Sequence, residues 1–319
     1  MPGIQHETKH VNTATTSFQP SAYLHPRHWA TWLGVGLLRM VAAMPYGVQL
    51  FIGRRYGDLM FGLLPRRRQI ARRNLELCFP ELDEDERHRL LRGSFQSVGI
   101  TVIETAFSWW GSETKLRNLY RMEGEEHLQN ALQQGKGALL LGGHYTTLEI
   151  SGRFLAFHTN DLQPIYKPAR NQLFNALMVA ARSRLYDRLL ANREFRTVLR
   201  GLKDNKIVWY APDQDFGRGQ NVFAPFMGIA TATLTMTSRL AKASGAPVLP
   251  FYSQRLPGSE GYLIKLLPPL QNFPSGDDVA DSMLINQAIE QQVRNAPEQY
   301  LWLHRRFKTR PPGEGDIYS

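Results

Sequence analysis

Cysteine is nearly absent: Cys78 stands alone in 319 residues. That excludes an intrachain disulfide and leaves too few thiolates for a cysteine zinc site; a reducing compartment fits. No secretory signal peptide is predicted, because the first 20 residues are polar and read as a loose tail. No G-x-S-x-G elbow occurs, which disfavours a serine hydrolase. Internal repeats and low-complexity stretches are absent, so solenoid and fibrous architectures fall away. Acidic residues are scarce beside basic ones, 28 against 38, and the formal charge is +10. Such a balance points to an acidic partner: nucleic acid, anionic lipid or an acidic protein. No recognisable nucleic-acid module accompanies it.

A long uninterrupted apolar run is lacking too. The nearest approach is residues 29–52, WATWLGVGLLRMVAAMPYGVQLFI. As one helix, about 24 residues at about 1.5 Å each would reach across a hydrocarbon core of about 30 Å. Arg39, Pro45 and Gln49 interrupt it, and a buried first helix of the catalytic domain competes with a membrane segment. Trp29 and Trp32 at one end favour a membrane interface. Arg54, Arg55, Arg66, Arg67, Arg68, Arg72 and Arg73 follow directly, as suits the cytoplasmic surface of an anionic membrane. A solvated basic helix face is the plainer alternative.

What the chain does have is the composition of a folded domain, 43% hydrophobic and 21% charged. The predicted division is a polar tail over 1–20, an N-terminal membrane-associated helical segment over 21–60 and a catalytic domain over 61–319. Residues 83–110 predict a long helix with an acidic first turn. Apolar strands are predicted at 137–142, 207–211, 247–253 and 262–267. Helices are predicted at 172–191, 195–203, 233–244 and 279–294. The alternation implies an α/β sheet with helices on both faces.

Chemistry concentrates in GGHYTTLE at 142–149, directly after the strand GALLLG. The spacing is His-x4-Glu. On one ideal helix, five residues turn the chain by about 500°, so His144 and Glu149 would diverge by about 140°. They meet only if His144 lies in the turn and Glu149 reaches back from the helix. Gly142 and Gly143 permit a sharp turn with positive φ, and Thr146 is a fair N-cap. A neutral His144 could then take a proton from an attacking hydroxyl while Glu149 fixes its tautomer. A competing arrangement is a capping box, with Glu149 bonding back to the Thr146 amide.

Further segments, in a fixed order, resemble the lipid A late acyltransferases, particularly their lauroyl-transferring branch. They are LHPRHWATWLGVGLL at 24–38, RRNLELCFPEL at 72–82, GGHYTTLE at 142–149 and YKPARN at 166–171. VWYAPDQDFG at 208–217, VFAPFMG at 222–228 and QYLWLHRRFKTRP at 299–311 complete the set. The resemblance covers nearly everything from about residue 20 onward. It implies a mixed sheet flanked by helices, like that of glycerolipid acyltransferases, which carry His-x4-Asp. It implies an inner-membrane enzyme facing the cytoplasm. The enzyme would move an acyl chain, laurate by family analogy, from acyl carrier protein to a hydroxyl on a 3-hydroxyacyl chain of a Kdo-lipid IVA precursor. No cofactor and no metal are expected.

On that resemblance His144 is the general base and Glu149 orients it. Arg170, Asn171, Arg182 and Arg184 are candidates for the acceptor's phosphates and carboxylates, since a guanidinium binds oxyanions in bidentate fashion. Lys167 is a weaker candidate. Asp213 and Asp215 follow a predicted strand end, where ligands of α/β sheets gather, and could position Arg184 or a sugar. An acidic turn closed by Gly217 is the plainer alternative for them. A metal-dependent glycosyltransferase built on Asp213-x-Asp215, and a non-catalytic binder driven by charge, are the competing functions. His304 is a lesser catalytic candidate.

Overall fold

The computed structural model describes residues 18–192, 194–215, 217, 219 and 221–318. The polar tail expected over 1–20 therefore lies almost wholly outside the described residues. The N-terminal segment is helical, but residues 29–52 are not one helix. They are divided between α1 (Trp29–Ala43) and α2 (Tyr46–Leu63). Pro45 causes the break: it has no N–H to donate, and it caps α2 in an extended conformation. The Gln49 side chain then closes the bend, donating to the carbonyls of Ala42 and Met44 at 3.1 and 2.9 Å. No helix among the described residues is long and apolar enough to cross a membrane.

Helix α3 (Pro65–Cys78) carries five of the clustered arginines, Arg66, Arg67, Arg68, Arg72 and Arg73, and α4 (Glu84–Trp110) forms as predicted. Asp83 and Glu86 close a reciprocal capping box at the start of α4. Helix α2 lies directly on α4 because glycines face the crossing. A Cβ on Gly57 would stand 2.4 Å from the Phe95 carbonyl oxygen, and one on Gly99 would stand 2.3 Å from that of Gly53. With its small-residue side against α4, α2 turns Val48, Phe51, Leu59 and Leu63 outward. Trp29, Leu33, Leu37 and Met40 of α1 are exposed likewise.

The remaining chain alternates as expected. It runs through α5 (Glu113–Arg117), β1 (Tyr120–Glu123), α6 (Glu125–Gln133), β2 (Ala138–Leu141), α7 (Leu148–Leu155), β3 (Leu162–Tyr166) and α8 (Gln172–Arg182). Then come β4 (Leu190–Ala191), α9 (Phe195–Lys203), β5 (Ile207–Tyr210), β6 (Asn221–Phe226), β7 (Ile229–Leu234) and α10 (Met236–Ser244). Strands β8 (Val248–Arg255) and β9 (Tyr262–Leu266) and helix α11 (Asp278–Asn295) complete it. Seven strands form one sheet in the order β1-β9-β8-β2-β5-β3-β4, with all neighbouring pairs parallel except β8 and β9. Helix α8 stops at Arg182 rather than 191, because Leu190 and Ala191 pair with Ile165 and Tyr166 at the sheet edge. Residues 233 and 234, predicted helical, end β7; its hairpin with β6 turns on Met227 and Gly228, both at positive φ.

Side chains of the central strands alternate between two cores. Leu139, Leu141, Val208 and Val248 join a cluster with α9, α10 and α11. Ala138, Leu140, Ile207, Trp209 and Leu249 join a second cluster with α6, α7 and the C-terminal half of α4. The sheet is thus covered on both faces, as a parallel sheet must be. Its C-terminal strand ends open toward one pocket.

Candidate active site

The chain leaves β2 through Gly142 and Gly143 and delivers His144 to the strand's C-terminal end. Neither glycine adopts the positive φ expected of it. Both are needed for space instead: a Cβ on Gly142 would lie 2.8 Å from Trp209 Nε1, and one on Gly143 would lie 2.8 Å from the Tyr145 ring. The turn is clamped from several sides. The Thr146 amide donates to the Gln299 carbonyl at 2.8 Å, and the Leu301 amide donates to the His144 carbonyl at 3.1 Å. Thr146 Oγ1 bonds Ser97 Oγ at 2.6 Å, and Thr147 Oγ1 bonds Ser253 Oγ at 2.7 Å. Neither threonine side chain is free to cap α7, so the competing capping box is absent.

His144 does lie in the turn, but its carboxylate partner is Asp213. The His144 backbone amide donates to Asp213 Oδ2 at 2.8 Å, and Nδ1 faces Oδ1 at 2.5 Å. Asp213 is fully buried. Burial would raise its carboxyl above the usual range, yet charge interaction with His144 and these two hydrogen bonds hold it well below. Asp213 is therefore ionised at neutral pH and fixes Nδ1 of the ring as a donor. That leaves Nε2 as the basic nitrogen.

Glu149 is engaged elsewhere. Its carboxylate accepts the Trp109 indole N–H at 2.6 Å and Arg182 Nε at 3.1 Å, with Arg182 Nη2 on the second oxygen. No hydrogen bond joins Glu149 to the His144 ring among the described residues, so the expected reach-back does not occur. The reason is position: Glu149 sits in the first turn of α7, on the side facing α4 and α8, and the bidentate guanidinium holds it there. Both members of this ion pair are largely shielded from solvent.

His144, Glu149 and Arg182 line one cavity of about 250 Å³ at the C-terminal ends of β2, β3 and β5, with the buried Asp213 bonded to His144 behind its wall. Tyr166, Lys167, Tyr186, Asn192 and Gln214 also contribute to it. Of the other expected residues, Arg182 is in the wall, whereas Arg170 and Arg184 are exposed and do not line it. Asn171 caps α8, accepting from the Phe174 amide at 3.0 Å, and its amide donates to Thr31 of α1 at 2.9 Å. Asp215 is turned away, accepting from Thr309 N and Oγ1 at 2.6 and 2.9 Å and from the Gly217 amide at 2.7 Å. It anchors the C-terminal segment rather than an arginine. His304 accepts from the Asp215 amide at 3.3 Å and is pushed down to about 4 by burial and by the charge of His144. With Asp213 and Asp215 bonded in different directions, no group of three or more potential metal ligands exists among the described residues.

Trp109, Tyr186 and Asn192 were not singled out from the sequence. They stand 35 residues before and 42 and 48 residues after His144, so no local motif announces them. The pairing of Asp213 with His144 becomes legible only through the strand register. Leu141 pairs with Tyr210 across β2 and β5, and His144 and Asp213 each lie three residues further on.

Comparison with known proteins identifies the family. Residues 16–309 match the model of the bacterial lipid A biosynthesis acyltransferase family. A lipid A biosynthesis lauroyltransferase of Escherichia coli K12 is 38% identical over 93% of this chain and 97% of its own. A palmitoleoyltransferase of lipid A biosynthesis from the same strain is 37% identical over 93% and 96%. A lipid A biosynthesis acyltransferase of Haemophilus influenzae is 36% identical over 94% and 96%. A family model matched across most of the chain, and relatives above a third identical over nearly their full length, lead to one conclusion: this chain belongs to the bacterial lipid A biosynthesis acyltransferases.

Proposed function

We propose that the protein transfers an acyl chain from acyl carrier protein to the hydroxyl of a 3-hydroxyacyl chain on a Kdo-lipid IVA-type glycolipid, with His144 as general base. The observation that carries this is His144 in the wall of a cavity at the C-terminal strand ends, bonded through Nδ1 to the buried Asp213. His144 Nε2 removes the proton from the acceptor hydroxyl as its oxygen attacks the thioester carbonyl. Asp213 keeps Nδ1 protonated and stabilises the imidazolium that forms. When the tetrahedral intermediate collapses, the carbon–sulfur bond breaks and the imidazolium returns the proton to the departing thiolate. The products are an ester and a free thiol.

Arg182, held by Glu149, keeps Nη1 for an anionic group of the substrate or for the developing oxyanion. Glu149 is thereby a positioning residue, acting through Arg182. The exposed apolar side chains of α1 and α2 support membrane association with the bent pair lying in the interface of the cytoplasmic leaflet. The basic residues of α3 suit anionic lipid or the acidic carrier protein. Laurate is the proposed chain.

The test is mass spectrometry of products from purified protein given the glycolipid acceptor and a panel of acyl carrier proteins. One added acyl chain, largest with the lauroyl donor and lost in His144→Ala, is expected. Full transfer by purified His144→Ala would overturn the mechanism.

A further inference from the structure

Resting on that reading, we infer that the two chains joined by the reaction run to opposite faces of the sheet. The donor's acyl chain occupies the cavity between β3, α9 and α10, and the acceptor's hydroxylated chain occupies the groove between α1 and α4. The chemistry demands two apolar paths. The new ester joins the first carbon of one chain to the oxygen on the third carbon of another, so two hydrocarbon tails diverge from the point served by His144. A single slot would have to bury both.

Among the described residues, an apolar room lies on each side of the catalytic cavity. The first, of about 660 Å³, shares Ile165, Lys167, Asn192 and Tyr210 with it. Beyond those shared residues its walls turn apolar, with Phe195, Val198, Met236 and Leu240, which belong to the core on the α9–α11 face. The second, of about 300 Å³, lies on the other face, against Leu38, Ala106 and Trp110 of the opposite core. Trp109 separates it from the catalytic cavity. Its indole N–H holds Glu149 in that cavity, while the residue also lines the groove beside Phe174, 5.5 Å away between ring centroids.

Access decides which tail goes where. The second groove is walled by Gly34, Val35 and Leu38 of α1, whose outward side chains Leu33 and Leu37 are exposed. A lipid already seated in a bilayer against that face reaches the groove without leaving an apolar surface. The first room lies on the other side of the sheet and adjoins the catalytic cavity through Ile165, Lys167, Asn192 and Tyr210, as suits a chain delivered by a soluble carrier. Its walls therefore set donor chain length, each methylene being worth roughly fourfold, the equivalent of about 0.8 kcal/mol.

Three variants test the assignment. Ala191→Phe narrows the first room and Met236→Ala widens it; Ala191 and Met236 both line it and are only partly buried. Gly34→Leu narrows the second groove, where an added Cβ meets nothing within 4 Å, and circular dichroism checks that the variant folds. Purified proteins are assayed with acyl carrier proteins bearing graded chains and with the glycolipid acceptor. Ala191→Phe is expected to move the optimum to shorter donors and Met236→Ala to longer ones, at unchanged acceptor KM. Gly34→Leu is expected to raise acceptor KM several-fold without moving the chain-length optimum. Donor profiles unmoved by both first-room variants, or moved by Gly34→Leu, would overturn the assignment while leaving acyl transfer intact. No transfer by the unaltered protein with any donor would overturn the acyl-transfer reading and this one together.

Discussion

The turn after β2 and the turn after β5 look alike in sequence, each a short polar segment with carboxylates following an apolar strand. In both, residues close in sequence part to different partners. In the first turn His144 and Glu149, five residues apart, separate: the histidine faces Asp213 and the glutamate faces Arg182. In the second turn Asp213 and Asp215 separate too, one onto His144 and the other onto Thr309. Every functional pairing crosses between elements, and none is made within a motif. In a parallel sheet the strand register, not the sequence spacing, selects which side chains meet.

The most severe test of that contrast concerns the two carboxylates in turnover. His144→Ala is expected to cost about 10²–10⁴-fold in kcat, the range of general base catalysis. Asp213→Asn is expected to approach the same loss, because an amide presents its N–H₂ to Nδ1 and favours the wrong tautomer. Glu149→Gln keeps the shape and one acceptor oxygen for Arg182, so its loss is expected to be smaller and to fall mainly on acceptor KM. Steady-state kinetics of the purified variants decide it. A Glu149→Gln protein with collapsed kcat and normal KM, beside an active Asp213→Asn, would restore Glu149 to the histidine.

A second comparison concerns stability. Glu149→Ala leaves Arg182 in a largely buried site without its counter-charge, and Trp109 without its acceptor. Removing one partner of such a pair costs about 3–5 kcal/mol. The double variant Glu149→Leu/Arg182→Met removes both charges and is expected to recover most of that, though not activity. Urea unfolding monitored by circular dichroism measures both. A single variant as stable as the unaltered protein would show the pair to be solvated.

Much of the fold was legible because its signals are local. The long α4 was bounded by its acidic cap, and β2, β5, β8 and β9 by apolar runs near glycine or turn residues. The strands that escaped notice, β1, β3, β4, β6 and β7, are short, interrupted by proline as at Pro164 and Pro225, or half-exposed, so their periodicity is weak. The site was legible in its residues more than in its pairings. His144, Glu149, Arg182 and Asp213 were all singled out, and all line or buttress one cavity. Their partnership was hidden because no short-range rule states which strand lies beside β2. Once β5 is known to be that neighbour, equal offsets from Leu141 and Tyr210 point to His144 and Asp213.

The smallest expected effect separates the two aspartates by pH. His304 accepts the Asp215 amide and is held at about 4 against an ordinary 6.5. Between those values the unfolded chain binds a proton that the folded protein does not. Its contribution to stability is thus complete above pH 6.5 and declines as the pH falls toward 4. His304→Gln retains an acceptor for the Asp215 amide and removes the titration. Thermal unfolding between pH 7 and 4.5 is expected to show a shallower decline in this variant than in the unaltered protein. Asp213 titrates well below this window, so the His144–Asp213 pair contributes no slope from its carboxylate there. Parallel curves would mean that His304 is solvated, and the buried hydrogen bond that ties the C-terminal segment to Asp215 would lose its basis.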